Sequence, residues 1–255
     1  MKTAFITGGA QGIGLCTARM FVRKGYRVGI YDKDENKLKE VFDEDPNIEV
    51  FSGSVTDDEG IKQALELFTA KSEGKLDILV NNAGIVFVGE YGDQPLENHL
   101  ATVDVNFKGM VTVTYKALPY LKANKCSAII NLSSASALYG NPEITTYAAT
   151  KSAVRSLTEG WSIALRKYGI RVADLLPIFV KTRMVIDNAR DYRKLNPDKV
   201  KLTPEMVAEV VWEAVNGKKT HYLVGKDTKI YALLLKWFPP GWIPFIVRRV
   251  LNYRD

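Results

Sequence analysis

The chain is poor in the residues that bridge secreted proteins or bind metals, with two cysteines and two histidines among 255 residues. Cys16 and Cys126 show no pairing pattern and fit a reducing cytosol, which argues against a disulfide framework. His99 and His221 are far apart and form no metal-ligand pattern, so we expect no metal site. We therefore predict a cytoplasmic protein in which both histidines are structural or surface residues.

The sequence also lacks internal repeats, low-complexity segments and Ser/Gly linkers. At 255 residues this favours one domain that is large enough for a full core. The N-terminus leads directly into an apolar strand, so we expect no signal peptide. Apolar strands alternate with helical stretches, which predicts an α/β fold with a parallel sheet and helices on both faces.

The net positive charge of the chain comes entirely from its C-terminal end. Residues 1–217 carry 27 basic and 27 acidic side chains, whereas the last 38 residues carry 8 and 2 and account for the net charge of +6. Residues 230–255 are rich in Trp, Phe and Leu but have no uncharged run of the ~20 residues that cross a bilayer. Three interpretations stay open: a membrane surface, subunit packing, or a lid on the substrate pocket. The apolar content argues against nucleic-acid binding.

A serine, a tyrosine and a lysine carry the strongest indication of chemistry. Tyr147 and Lys151 are four residues apart and share one face of a predicted helix. Ser134 follows the apolar run at residues 128–132, which predicts a buried strand that ends near this hydroxyl. A neighbouring ammonium lowers the pKa of a tyrosine, so Tyr147 is a candidate general acid and base. Ser133 is the alternative for the serine.

A glycine-rich turn near the N-terminus predicts a nucleotide-binding site. The strand at residues 2–7 runs into Gly8, Gly12 and Gly14 and then into a helix, an order that brings a pyrophosphate to the helix N-terminus. A second strand ends at Asp32, eighteen residues past Gly14, near the spacing of a ribose-binding acid. Its carboxylate repels a 2′-phosphate, so we expect NAD rather than NADP. The alternative is a simple tight turn, with Asp32 capping the next helix.

These motifs resemble those of the short-chain dehydrogenase/reductase family, over nearly the whole chain. The family's glycine motif corresponds to residues 7–14 and its Asn-Asn-Ala-Gly motif to residues 81–84. Its four catalytic positions match Asn106, Ser134, Tyr147 and Lys151. The resemblance implies a Rossmann-like, doubly wound parallel sheet of about seven strands in one domain. It also implies a nicotinamide cofactor and redox chemistry between alcohols and carbonyls.

The resemblance assigns a role to each matched residue. Tyr147 would exchange the proton, Ser134 would bind the substrate oxygen, Lys151 would bind the nicotinamide ribose, and Asn106 would hold a water or only brace a kinked helix. The implied cofactor-binding residues are Gly8, Gln11, Gly12, Ile13, Gly14, Asp32, Ser54, Val55, Asn82, Ala83, Gly84, Tyr147, Lys151, Pro177, Val180 and Thr182. The implied partners are a small alcohol or ketone and further copies of the chain, in a homodimer or homotetramer.

Two positions depart from the family pattern. Ser54 precedes Val55 where such proteins often carry Asp, and a serine is a weaker acceptor for the adenine amine. Ile178 follows Pro177 in place of glycine, and isoleucine does not easily adopt a positive φ, so we expect a different backbone there. Thr182 still matches the residue that bonds the carboxamide.

Residues 183–204 match the position of the family's variable substrate loop. This loop contains Met184, Val185 and Ile186, and then Arg190, Arg193 and Lys194. It ends where Thr203 and Pro204 predict a helix start. With the apolar residues 85–88 and the pair Leu138 and Tyr139, it predicts a lipophilic substrate such as a steroid, a retinoid or a long-chain compound.

The chain accordingly divides into a Rossmann-fold catalytic domain, residues 1–229, and a basic amphipathic tail, residues 230–255. The favoured function is an NAD-dependent oxidoreductase that interconverts a secondary alcohol and its ketone or aldehyde. A 3-oxoacyl-thioester reductase that uses NADPH is the enzymatic alternative, and Asp32 argues against it. A non-catalytic dinucleotide-binding protein is the alternative outside enzymes.

Overall fold

The computed structural model describes residues 1–192 and 195–251. Arg193 and Lys194, which belong to the predicted substrate loop, and residues 252–255 of the tail lie outside the described residues. Seven strands form one parallel sheet in the order β3-β2-β1-β4-β5-β6-β7. They are β1 Thr3–Thr7, β2 Arg27–Asp32, β3 Ile48–Ser52, β4 Ile78–Asn81, β5 Ser127–Leu132, β6 Ile170–Pro177 and β7 His221–Val224.

Helices cover both faces of this sheet. The described α-helices are α1 Gly12–Arg23, α2 Glu35–Glu44, α3 Asp58–Ala70, α4 Leu96–Val103, α5 Met110–Lys122, α6 Thr145–Ala164, α7 Arg183–Asp187, α8 Pro204–Asn216, α9 Lys226–Trp237 and α10 Ile243–Leu251. Ala4 and Ile6 of β1 join a buried cluster with α1 and α8, whereas Phe5 joins another with α3 and α5. Successive strand side chains point to opposite faces, so β1 contributes to both layers. The doubly wound, single-domain Rossmann-like fold predicted from the sequence is confirmed.

The strand order reverses at β1, which pairs with β2 on one side and with β4 on the other. In doubly wound sheets the crevice outside the carboxyl ends of the strands at such a point binds ligands. β1 ends at Thr7 and β4 ends at Asn81, opposite each other in the register. The glycine turn and the Asn-Asn-Ala-Gly segment therefore meet at this crevice.

Four polar side chains cross the sheet in register on β4 to β7, namely Asn81, Asn131, Asp174 and His221. Asn81 Nδ2 donates to Asn131 Oδ1 at 2.9 Å. The fully buried Asp174 carboxylate lies 2.7 Å from His221 Nδ1, and His221 Nε2 lies 3.0 Å from Glu159 Oε1. The hydrogen bond with Asp174 raises the pKa of His221. His221 thus joins the edge of the sheet to α6.

We expect His221→Ala to lower the free energy of unfolding by about 3 kcal/mol, because it leaves a buried carboxylate without its cationic partner. Oδ2 of Asp174 already has no hydrogen-bond partner among the described residues. Urea denaturation measures the change. Placed on an Asp174→Asn background, the substitution should cost less than half as much, since no buried charge remains. An equal loss of unfolding free energy on both backgrounds would contradict a stabilising interaction between His221 and Asp174.

The C-terminal helices follow β7. Gly225, with a φ of +92°, leads from β7 into α9, and a short 3₁₀ turn at Pro240–Trp242 precedes α10. Helix α9 packs against β7 and against the 3₁₀ turn at Ala135–Leu138. No helix in the described part of the chain has the length and apolarity that crossing a membrane requires.

Candidate active site

Two glycines of the turn after β1 have no room for a side chain at their positions. A Cβ on Gly14 would lie 2.2 Å from the Gly8 carbonyl oxygen and 2.6 Å from Asn82 Nδ2. Gly8 has a φ of +64°, and a Cβ there would lie 2.8 Å from Ala83 Cα. Asn82 Nδ2 closes the turn by donating to the carbonyl oxygens of Thr7 at 3.1 Å and Gly8 at 2.7 Å. The two predicted nucleotide-binding motifs are therefore one connected structure.

Helix α1 presents an open N-terminus at this turn. Its N-cap, Gln11, makes no side-chain capping hydrogen bond within the described part of the chain, and its first turn contains no acidic residue. The unpaired N–H groups and the positive end of the helix dipole suit a phosphate. Ile13 packs into the core beneath the turn, and a Cβ on Gly12 would lie 3.3 Å from Thr182 Cγ2. Thr182 thus faces the glycine turn from the segment after β6.

Asp32 stands at the carboxyl end of β2, beside the same turn. Its Oδ2 accepts from the Ala10 N–H at 3.1 Å and its Oδ1 accepts from the Asp34 N–H at 3.2 Å. These two bonds hold the carboxylate between the glycine turn and the start of α2. Asp34, rather than Asp32, caps α2, because its side chain accepts from the Lys37 N–H.

The next strand end carries the predicted adenine contacts. The Ser54 hydroxyl lies 2.8 Å from Thr56 Oγ1, and Val55 is buried. A Cβ on Gly109 would lie 2.8 Å from Val55 Cγ2, so this loop packs directly against the helical segment that contains Asn106.

Ser134, Tyr147 and Lys151 lie together as the sequence spacing predicts. Ser134 follows the end of β5, while Tyr147 and Lys151 lie in the first two turns of α6. The Ser134 hydroxyl lies near enough to the Tyr147 phenol to lower the pKa of that phenol. Lys151 Nζ lies 5.5 Å from the centroid of the Tyr147 ring. Tyr147 stays partly accessible, as a residue that meets a substrate must.

The predicted tuning of Tyr147 by the ammonium is wrong for this geometry. Desolvation by burial raises the pKa of Tyr147 to about 12, and the nearby Ser134 hydroxyl offsets only part of that. Burial also lowers the pKa of Lys151 to about 8. The ammonium donates to the Leu132 carbonyl oxygen at 2.7 Å and lies 5.5 Å from the centroid of the Tyr147 ring. Desolvation therefore has a larger effect than electrostatic attraction on the pKa values of both Tyr147 and Lys151.

Asn106 belongs to a π-helical segment, Asp104–Gly109, between α4 and α5. Its Oδ1 accepts from the Ile85 N–H at 2.8 Å and its Nδ2 donates to the Ile85 carbonyl oxygen at 2.9 Å. A Cβ on Gly84 would lie 3.2 Å from Asn106 Oδ1 and 3.6 Å from Lys151 Nζ. Asn106 therefore braces the loop after β4 beside the lysine, and π-helical segments recur at functional sites.

The two candidate serines have different surroundings. Ser133 is buried and its hydroxyl donates to the Lys151 carbonyl oxygen at 2.9 Å, which leaves that hydroxyl inside the strand-helix junction. Ser134 Oγ instead accepts from the N–H and the hydroxyl of Ser136, at 3.2 Å and 3.0 Å. Ser136 is a supporting residue that the sequence pattern did not single out, and only the 3₁₀ turn brings it near.

Aromatic side chains surround Tyr147. Phe87 lines a small cavity with it, as the predicted apolar wall requires. Tyr192, from the substrate loop, packs edge-on against Phe179 with ring centroids 5.2 Å apart. Burial and then the nearby Tyr147 raise the pKa of Tyr192, so this phenol also faces the site. The sequence did not single out Tyr192, because irregular loops carry no periodic signal.

His99 lies at the rim of the same cavity. Its Nδ1 lies 2.8 Å from Thr146 Oγ1 and its Nε2 lies 3.1 Å from the Tyr91 carbonyl oxygen. The ring also packs on Tyr91, with centroids 4.4 Å apart. His99 thus ties the loop before α4 to the first turn of α6, next to Tyr147.

The segment after β6 keeps an ordinary backbone. Among the described residues, Glu73 is the one non-glycine residue with a positive φ, so Ile178 does not adopt that conformation. Val180 forms a parallel bridge with Leu202, which positions the segment between Pro177 and Thr182. The residue type at Ile178 thus differs from the family pattern, but the backbone there does not adopt the left-handed conformation.

A doubly wound sheet with a glycine cradle beside a serine, a tyrosine and a lysine defines a dehydrogenase of the short-chain class. The chain belongs to the short chain dehydrogenase family, whose family model matches residues 2–193. It is therefore an enzyme of an oxidoreductase family.

Curated relatives agree with this assignment. The 3-oxoacyl-[acyl-carrier-protein] reductase FabG of Thermotoga maritima is 33% identical over 218 residues, which covers 82% of this chain and 88% of the relative. The oxidoreductase UcpA of Escherichia coli is 34% identical over 203 residues, covering 78% and 77%. A crystal structure of 3-ketoacyl-(acyl-carrier-protein) reductase from Brucella melitensis, complexed with NADH, has a TM-score of 0.78 at 28% identity and covers 88% and 96%.

Proposed function

We propose that the protein is an NAD-dependent oxidoreductase that interconverts a secondary alcohol and its ketone or aldehyde. The observation that carries the proposal is that Ser134, Tyr147 and Lys151 meet beside the crevice of the glycine turn. A screen of cofactor fluorescence with NAD⁺ and a panel of alcohols tests it. Cofactor binding without turnover of any alcohol or ketone would favour the non-catalytic alternative.

The residues at the crevice fit a dinucleotide. A Cβ at Gly8 or Gly14 would clash with the neighbouring backbone, and the N-terminus of α1 has no acidic residue in its first turn. The residues that would hold the cofactor are Gly8, Gln11, Gly12, Ile13, Gly14, Asp32, Ser54, Val55, Asn82, Ala83, Gly84, Tyr147, Lys151, Pro177, Val180 and Thr182. When bound, the dinucleotide supplies the hydride acceptor for oxidation or the hydride donor for reduction.

Side chains of the protein transfer the proton of the reaction. Ser134 Oγ donates to the substrate oxygen and keeps it within reach of Tyr147 Oη. Tyr147 Oη takes the alcohol proton in oxidation and returns it to the carbonyl oxygen in reduction. Lys151 Nζ and Asn106 Oδ1 both lie near Gly84, where a water beside them would pass the proton to solvent. Because Lys151 has a pKa lowered to about 8, it can exchange protons near neutral pH.

Asp32→Asn tests the cofactor preference. The amide keeps an oxygen that accepts from one backbone N–H but removes the charge that repels a 2′-phosphate. We expect the NAD/NADP ratio of kcat/KM to fall at least tenfold, about 1.4 kcal/mol in free energy. Steady-state kinetics with both cofactors measures the ratio.

Asp34→Asn is the matched control, since it removes the same charge two residues away while an asparagine still caps α2. Its cofactor ratio should stay within about twofold of the wild-type value. An unchanged ratio in Asp32→Asn, or an equal shift in both variants, would remove Asp32 from cofactor choice.

The names of two relatives support the substrate class of the second candidate, a reductase of 3-oxoacyl thioesters that uses NADPH, although neither names NADPH and one was crystallised with NADH. That reaction uses the same Ser134 and Tyr147 chemistry in the direction of reduction. Asp32 opposes NADPH, so the carboxylate at the end of β2 favours the first candidate. Direct comparison of NADH and NADPH with a 3-oxoacyl thioester and with simple ketones distinguishes the two.

A lipophilic substrate fits the aromatic wall of Phe87, Phe179 and Tyr192. Met184 and Ile186 of α7 add apolar surface that remains 37% and 45% exposed, ready to cover a bound apolar molecule. Profiling with hydroxysteroids and fatty alcohols tests this class. A homodimer or homotetramer is our proposal for the assembly, and light scattering measures it.

A further inference from the structure

Helix α9 is apolar on two opposite sides. Thr228, Ala232 and Leu235 point inward at a spacing of four and three residues and are buried or half-buried. A second stripe with helical spacing is exposed to solvent and consists of Ile230, Leu233, Leu234 and Trp237, which are 54%, 60%, 49% and 80% exposed. A surface helix needs only one apolar stripe to pack against the protein core. The outer stripe of α9 therefore needs a binding partner outside this chain.

The outer stripe is part of the largest concentration of exposed apolar side chains. Of the 22 large apolar residues exposed in the described part of the chain, 8 lie between Ile230 and Phe245. These include Trp242 and Phe245, which are 59% and 66% exposed. In α10, Val247 is buried while Phe245 and Arg249 face solvent. Contiguous exposed apolar surface of this kind marks an interaction site.

Basic side chains outnumber acidic ones around this surface, although Asp227 lies between the two exposed lysines in the first turn of α9. All of the chain's net charge of +6 comes from residues 218–255. Lys226 and Lys229 are exposed in the first turn of α9, beside the outer stripe. A second copy docked through the same surface would place one patch of net positive charge against another. An anionic surface would instead meet both the charge and the aromatic side chains.

The same helix borders the substrate pocket. Its inner side packs on the 3₁₀ turn Ala135–Leu138 that directly follows Ser134. Burial raises the pKa of Tyr139, the residue that directly follows this turn. A ligand held against the outer side of α9 is therefore near the pocket wall.

We infer that the outer face of residues 226–249 docks onto an anionic phospholipid surface, with the indole and phenyl rings at headgroup depth and the lysines against lipid phosphates. The opposite side of α9 packs on the turn that follows Ser134, so docking would bring the pocket close to the lipid from which an apolar substrate could reach Tyr147. Only this last step rests on the proposed function, because membrane docking needs no catalysis.

Vesicle flotation with the full chain tests the docking. The probes are vesicles of phosphatidylcholine alone and of phosphatidylcholine with about 30% phosphatidylglycerol. We expect the protein to float with the anionic vesicles at least tenfold more than with the neutral ones, and to be released as salt rises from about 0.1 to 0.5 M. Recovery only in the soluble fraction with both vesicles would overturn the inference.

Variants separate lipid docking from subunit packing. Lys226→Gln with Lys229→Gln should weaken binding to anionic vesicles roughly 25-fold, about fivefold per charge. Leu233→Ser with Trp237→Ser should abolish flotation, whereas Leu67→Ser, at an exposed leucine of α3, should not change it. Circular dichroism and light scattering of each variant check fold and assembly.

Two outcomes would contradict lipid docking even if the wild-type protein floats. One is that the α9 variants float normally, and the other is that they change the oligomer mass, which would assign the face to a second copy. Alcohol oxidation in detergent-free buffer without vesicles is measured in parallel. Loss of that activity in Tyr147→Phe, with flotation unchanged, keeps the failure of one proposal distinct from the failure of the other.

Discussion

Tyr147→Phe is expected to lower kcat by about 10²- to 10⁴-fold, the range that a positioned general acid and base contributes. The substitution removes one oxygen and leaves the ring that packs beside Phe87 and the Lys151 ammonium. Binding of NAD(H) should persist, because the glycine turn and α1 are untouched. Single-turnover kinetics and titration of cofactor fluorescence measure the two quantities separately.

Tyr115→Phe is the matched control, since Tyr115 is 71% exposed on α5 and lies away from the crevice. It should keep kcat within about twofold of the wild-type value. A Tyr147→Phe variant that turns over at a similar rate would disprove the acid-base assignment.

The pH profile gives the same prediction a second readout. With a pKa raised to about 12, the free phenol of Tyr147 is protonated at neutral pH. Reduction needs that proton, so its rate should change little between about pH 6 and 9, whereas oxidation needs the phenolate and should rise with pH. Loss of the rise in Tyr147→Phe would connect the profile to this residue.

Gly14→Ala is expected to destabilise the protein by about 3 kcal/mol and to abolish detectable cofactor binding. A Cβ at this position would lie 2.2 Å from the Gly8 carbonyl oxygen, which is backbone and cannot rotate away. The turn must open, and that also breaks the hydrogen bonds from Asn82 that close it. A loss of about 3 kcal/mol corresponds to a fall of roughly 6–12 °C in Tm.

Gly160→Ala provides the comparison for this substitution. Gly160 is exposed within α6 and has no atom within 4 Å of the position of a Cβ. Alanine should therefore stabilise the helix by about 0.5–1 kcal/mol and leave the cofactor affinity unchanged. If both glycine variants melted and bound cofactor alike, the close packing of the turn would not be a determinant of binding.

Much of the fold could be predicted from the sequence because its signals are local. The glycines between an apolar strand and a helix predicted the β1–α1 turn. Thr203 and Pro204 correctly predicted the start of α8, and the Thr203 side chain accepts a hydrogen bond from the Met206 N–H. The spacing from Ser134 to Tyr147 likewise predicted which strand end and helix face would meet. These are properties of short segments with strong conformational preferences.

The electrostatics could not be predicted in the same way, since they depend on groups distant in sequence. The Lys151 ammonium bonds a carbonyl nineteen residues away, and desolvation then controls both it and Tyr147. The same holds for Asp32, whose carboxylate bonds Ala10 across 22 residues. Sequence spacing indicates which groups are near one another, but it does not give the number of solvent molecules that burial removes from each.

The junction between β5 and α6 has two hydrogen bonds that run in opposite directions. Lys151 donates to the Leu132 carbonyl oxygen, and Ser133 donates to the Lys151 carbonyl oxygen. The strand end that carries Ser134 and the helix turn that carries Tyr147 are thereby fastened as a single body. A backbone motion that separates the strand end from the helix turn must break both hydrogen bonds, so these two segments should keep their relative position until the sheet itself melts.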